Sequence, residues 1–146
     1  MLIYLDTCAV QRPLDDPSQL RIRVEADILL AIVGAAESNE LDLASSDVLR
    51  FETENNPIPA RRDFARRVLA LATADTATTP EVAEWAKRYE QAGMKPLDAV
   101  HLASAVAVEA DFFCTVDDSF LSKARTANTG PTRVVSPVEL MTEIAP

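Results

Sequence analysis

Short β-branched or aromatic runs alternate with helical patterns along this chain, and that alternation constrains its fold more than any other feature. Leu2 to Leu5, Leu41 to Ser45, Phe112 to Val116 and Arg133 to Val135 read as strands, with a weaker candidate at Asp75 to Thr78. Between them lie helical patterns: a long, mostly apolar one from Leu20 to Ser38, a short one from Asp47 to Glu54, and an amphipathic one from Arg61 to Ala72. Thr79-Pro80-Glu81 supplies an N-cap, a first-turn proline and an early acid to a helix reaching Gln91. Ser136-Pro137-Val138-Glu139 is a capping box that opens the last helix. Pro57 and Pro59 interrupt the second and third helices, and Asn128-Thr129-Gly130-Pro131 is a loop. Strands separated by helices pair in parallel, so the expected fold class is α/β: a Rossmann-like central parallel sheet of four to five strands flanked by helices. With no internal repeat, low-complexity tract or linker, residues 1–146 read as a single domain.

Composition narrows the class. A chain of 146 residues with 48% apolar and 25% charged residues has the material for one globular core. No apolar run approaches the ~20 residues of a membrane span. Met1-Leu2-Ile3-Tyr4-Leu5-Asp6 lacks the basic start and small-residue cleavage site of a signal peptide, so a cytoplasmic protein with no membrane partner is expected. Cys8 and Cys114 show no metal-binding spacing and read as buried free thiols. A formal charge of -9 argues against loose, sequence-independent adhesion to nucleic acid, which relies on Lys and Arg. It leaves room for a nucleic-acid enzyme in which metal ions or a local basic patch supply positive charge.

The helix expected from Pro96 to Ala110 is apolar nearly all round, which marks it as buried. Its few polar residues need a reason. Asp98, His101 and Ser104 fall three apart and share one stripe, with Asp98 at the positive end of the helix dipole. Ligands of parallel α/β sheets gather at the carboxyl ends of strands. Asp6 ends the first strand, Asp117 the Phe112 run, and Glu52 follows the Leu41 run by about two turns of helix. Carboxylates drawn together repel one another unless a cation holds them, and hard oxygen donors suit Mg²⁺ or Mn²⁺. Such a site lends itself to phosphodiester hydrolysis. Each acid also has a plain structural role open to it. Asp117 is placed to cap a helix, Asp98 to meet a helix dipole, and Glu52 or the nearby Glu54 to face solvent.

Leu-Ile-Tyr-Leu-Asp6-Thr7, Ser45 to Glu52, Pro96-Leu97-Asp98-Ala99-Val100-His101-Leu102-Ala103 and Phe113-Cys114-Thr115-Val116-Asp117 occur in order over nearly the whole chain. Together they resemble the PIN-domain nucleases, and within these the VapC-type ribonuclease toxins of prokaryotic toxin-antitoxin pairs. The resemblance implies a PIN-like fold and an Mg²⁺- or Mn²⁺-dependent endoribonuclease, the toxin of a type II pair. Asp6, Glu52, Asp98 and Asp117 would be its catalytic and metal-binding residues. It also implies a homodimer and neutralisation by a small cognate antitoxin. The sequence departs from the pattern at Cys8, where the family often has Ser or Asn. The doubled acid Asp117-Asp118 leaves the ligand open, although the Thr-x-Asp register through Thr115 favours Asp117.

Other residues stand beside this set as accessory candidates. Thr7 adjoins Asp6, and His101 serves either in acid/base chemistry or as a hydrogen-bonded packing residue. Arg12-Pro13-Leu14-Asp15-Asp16 is either a substrate loop or a solvated turn. In the densest basic stretch, Arg62 and Arg66 are one turn apart, Arg61 adjoins them, and Arg67 is spaced to pair with Asp63. This stretch suits RNA phosphates, a partner protein or solvent. Two rival readings differ in class. A haloacid-dehalogenase-like phosphatase also carries an Asp after its first strand, but needs a second acid where this chain has Cys8. A catalytically inactive PIN-fold binding module would be favoured by loss of an acid, yet all four positions are acidic. Gly34, Gly93 and Gly130 are too scattered for a phosphate-cradling loop.

Overall fold

The structure, a computed structural model, describes residues 1–145. Strand β1 (Leu2–Leu5) lies in the middle of a five-stranded, wholly parallel sheet. On one side follow β2 (Asp42–Ser46) and β3 (Ala74–Thr76), on the other β4 (Phe112–Cys114) and β5 (Arg133–Val135), in the order β3-β2-β1-β4-β5. Register sets Tyr4 beside Ala44 on one neighbour and Phe113 on the other. The strand order reverses between β1 and β4, so the chain segments leaving their carboxyl ends diverge and open a crevice there. Asp6 and Asp117 leave from those two ends.

Among the described residues eight α-helices flank the sheet: α1 (Thr7–Gln11), α2 (Leu20–Glu37), α3 (Asp47–Glu54), α4 (Pro59–Leu69), α5 (Pro80–Gln91), α6 (Pro96–Ala107), α7 (Asp118–Ala124) and α8 (Pro137–Ile144). Because strand side chains alternate, Tyr4, Ala44 and Phe113 face one layer, with Leu49, Tyr89 and Leu102, while Ile3, Leu5 and Leu43 face the other, with Leu29, Ile32 and Leu140. Both faces of the sheet are therefore covered, as apolar parallel strands require. Small residues on α6, among them Ala99, Ala103 and Ala105, are fully buried and let the helix pack closely on α5.

The structure corrects several expected boundaries. Pro59 does not interrupt a helix but opens α4 at its first position, where a missing N–H costs nothing. α6 stops at Ala107 because Glu109 takes a positive φ of 58°, which ends the helix before Ala110. The Phe112 strand closes at Cys114, where Thr115 begins a turn. Helices α1 and α7 and a 3-10 turn at Arg12–Leu14 are too short to show a period in the sequence. The apolar faces of α4 and α5 are buried internally through Ala65, Val68, Val82 and Tyr89. Large exposed apolar side chains include Leu20, Val24 and Val138, and also Leu30, Phe51 and Ile58. No helix among the described residues is long and apolar enough to cross a membrane.

Candidate active site

Asp6 follows β1 directly and caps α1: its Oδ1 accepts from the Ala9 N–H at 3.0 Å. It also accepts the Cys8 thiol at 3.0 Å. Burial pushes the Asp6 carboxyl above its ordinary range, and these donors offset that only in part. Cys8 therefore supplies a contact that its departure from the family pattern seemed to remove. Burial and the adjoining Asp6 raise the Cys8 thiol strongly, so it stays an S–H donor instead of becoming a reactive thiolate.

Glu52 enters from α3, whose first turn is fixed by Ser46 accepting the Leu49 N–H at 3.2 Å. The Thr7 hydroxyl donates to Glu52 Oε1 at 2.9 Å, and His101 Nε2 lies in hydrogen-bond contact with the same oxygen. On its other side His101 Nδ1 is 2.8 Å from the Tyr4 hydroxyl, itself 2.7 Å from Ser46 Oγ. An ionised carboxylate can only accept, so the proton belongs on Nε2. Nδ1 then accepts from Tyr4, and Tyr4 from Ser46. Partial burial alone would raise the Glu52 carboxyl, but the bonds from His101 and Thr7 outweigh it and hold it below its usual range. His101, 2% exposed, is thus a hydrogen-bonded bridge between Glu52 and the core. Glu54 points elsewhere, to Arg66 Nε at 2.7 Å.

Asp98 opens α6 and is partly buried with no hydrogen-bond donor among the described residues. Its carboxyl is raised by desolvation first, then by the negative charges of Asp6 and Asp117. Asp117 closes the Thr-x-Asp turn: Thr115 Oγ1 accepts the Asp117 N–H, and Asp117 Oδ1 accepts the Phe120 N–H, both at 3.1 Å. It is thus the N-cap of α7, a role that uses one of its two oxygens. Asp118 turns away into a bidentate pair with Arg21 at 2.7 Å, which removes it from the accessory set.

All four acids sit at one edge of the sheet, and their hard oxygen donors suit a divalent cation. The repulsion felt by Asp98 is what such an ion would relieve. As the side chains stand, no group of three or more His, Cys, Asp or Glu among the described residues is drawn together tightly enough to hold a metal. Asp6 and Asp117 are turned to their caps and Glu52 to His101.

The arginines expected at an RNA path are mostly occupied. Arg12 pairs with Asp15 at 3.0 Å and with buried Glu25 at 3.2 Å, and its segment forms a 3-10 turn with Leu14 and Asp16 exposed. Arg61 binds Asp15 at 2.8 Å, and Arg62 donates to the Asn56 carbonyl at 3.1 Å. Arg66 pairs with Glu54 and, at 3.7 Å, with Asp63, displacing the expected Asp63–Arg67 pair. These contacts tie α4 to its neighbours. Arg67 alone of the group stands exposed without an ion pair among the described residues. A roomy concavity of about 440 Å³ between Arg50, Glu54, Arg66 and Asp75 lies beyond α3, and its charges are already paired.

Sequence reasoning missed Tyr4 and Ser46, which join the site only through β1 lying beside β2 and under α6.

No protein-family model matches this sequence, and no curated protein matches it. Among solved structures, the fold is similar to a chain in the crystal structure of VapBC2 from Rickettsia felis bound to a DNA fragment from their promoter. The TM-score is 0.55 at 11% identity, covering 93% of this chain and 98% of that chain. Through its strand order, its layering and this likeness, the chain has the PIN-like α/β fold that its motifs resemble.

Proposed function

We propose that this chain is a divalent-metal-dependent endoribonuclease that hydrolyses RNA phosphodiester bonds, the toxin of a type II toxin-antitoxin pair. The observation that carries the reading is the charge on Asp98: at the crevice where the strand order reverses, two further aspartates act on it and no donor answers it. Asp6, Glu52, Asp98 and Asp117 are the residues that would hold Mg²⁺ or Mn²⁺. When bound there, the metal supplies Lewis acidity at phosphorus and favours ionisation of water.

The chain's own residues do the rest. Thr7 and His101 hold Glu52 ionised and fix its orientation. Cys8 and the Ala9 N–H fix Asp6, and the Thr115 turn fixes Asp117. A cognate antitoxin and a second copy of the chain complete this reading. The exposed Leu20, Val24 and Val138 offer apolar surface for association. The phosphatase alternative is weakened because the position two after Asp6 carries a protonated thiol in place of a second acid.

The test is cleavage of single-stranded RNA by purified protein. Activity is expected only with Mg²⁺ or Mn²⁺, leaving a 5′-phosphate and a 3′-hydroxyl, and Asp6→Asn should lose most of it while remaining folded. A 2′,3′-cyclic phosphate product, or full activity in EDTA, would overturn the metal reading and turn attention to His101 as acid or base.

A further inference from the structure

We propose that Lys95 and Lys123 form a phosphate-binding subsite beside Asp98 and Asp117, which seats the RNA backbone next to the bond to be cut. The proposal rests on the ribonuclease reading and gives it a phosphate contact beside two of the four acids.

A concavity of about 110 Å³ lies between the starts of α6 and α7. Its floor is apolar, made by Met94 and Phe120, each 4% exposed. Lys95, Asp98, Asp117, Ser119 and Lys123 complete its lining. Ser119 and Lys123 are four apart on α7 and so share one face. The space is large enough to take a phosphate.

Both lysines are exposed. Every ion pair among the described residues uses an arginine or His101, and none uses a lysine. On a chain of net charge -9 the long-range field repels RNA, so binding must come from cations that are local and uncommitted. An ammonium is a compact charge that meets phosphate without reading sequence, so this subsite positions the backbone and does not specify the base.

The test uses fluorescence anisotropy of a labelled 12-nucleotide single-stranded RNA of mixed sequence, titrated across salt with Mg²⁺ present. All proteins carry Asp6→Asn to prevent cleavage. A single-strand contact contributes a slope of about 0.7 in log affinity against log salt, so at 0.1 M salt each lost contact weakens binding about 5-fold. Lys95→Ala and Lys123→Ala should each show that loss. The double variant should lose about 25-fold and flatten the slope by about 1.4. Lys87→Ala removes the same charge from α5 and should bind like the parent. Unchanged affinity and slope in the double variant, while native protein still cuts RNA, would overturn the subsite and leave the nuclease reading intact. So would an equal loss in Lys87→Ala, which would point to overall charge. If native protein neither binds nor cuts RNA, the nuclease reading falls and the subsite with it.

Discussion

Glu52 and Asp98 stand on the same sheet edge and are both partly buried, yet protein donors answer the charge of one and not of the other. Glu52 receives Thr7 and His101, and behind His101 a relay through Tyr4 and Ser46 reaches the start of α3. Asp98 receives no donor and feels Asp6 and Asp117. One half of the edge is complete as folded, and at the other Asp98 has no hydrogen-bond donor among the described residues. Buried polar networks of the first kind fix geometry, while uncompensated charge of the second kind marks sites where a ligand acts.

The two halves respond to acid with opposite sign. Glu52 is held below its ordinary range, so its contribution to stability is present above about pH 4.3 and is lost as pH falls through its folded value. Asp98 is raised, so its penalty is absent below about pH 3.9 and grows as pH rises through its folded value. A divalent cation bound by these acids should remove the second effect and strengthen the first.

The largest effect should come from breaking the complete half. His101→Ala strands the Tyr4 hydroxyl and a partly buried Glu52 around a new cavity, and urea unfolding should show a loss of about 2–4 kcal/mol. Tyr4→Phe keeps the packing on Phe113, where the rings stack with centroids 5.3 Å apart. It removes only the hydroxyl, so the expected loss is smaller, about 1–2 kcal/mol. If both variants unfold like wild type, the relay holds nothing together. In the open half the sign reverses. In chelator, Asp98→Asn should match wild type near pH 3 and exceed it slightly near pH 7, and a variant less stable than wild type at pH 7 would contradict the repulsion. The smallest effect should follow Glu54→Gln, two residues from Glu52 but fully exposed against Arg66, which should leave both unfolding and RNA cleavage at wild-type levels. A loss of cleavage there would mean that Glu54 contributes to the site.

The sequence made the parallel α/β class legible because strand runs and helix periods alternate, and it marked the four acids because strand ends are where ligands gather. Helix α7 stayed hidden, since seven residues carry too little period, and only the Asp117 cap hinted at it. The occupied arginines were illegible for another reason. Arg61 meets Asp15 across 46 positions and Arg21 meets Asp118 across 97, pairings that exist only once the chain has folded. Spacing within α4 showed a basic face and could not show that distant acids had already claimed it. His101 was visible as a polar residue on an apolar helix, but its role depended on Tyr4 and Glu52 arriving from β1 and α3.

Thermal unfolding with and without Mn²⁺ tests the central claim most directly, with wild type set beside an Asp98→Asn/Asp117→Asn double variant. An ion that binds only the folded state stabilises it by about 2.7 kcal/mol at a hundredfold excess over its Kd. Wild type should therefore melt several degrees higher with Mn²⁺, and the double variant should gain little, since two of the four acids that would hold the ion have lost their charge. Equal shifts in the two proteins would contradict the account, because the metal would then bind somewhere other than the crevice between β1 and β4.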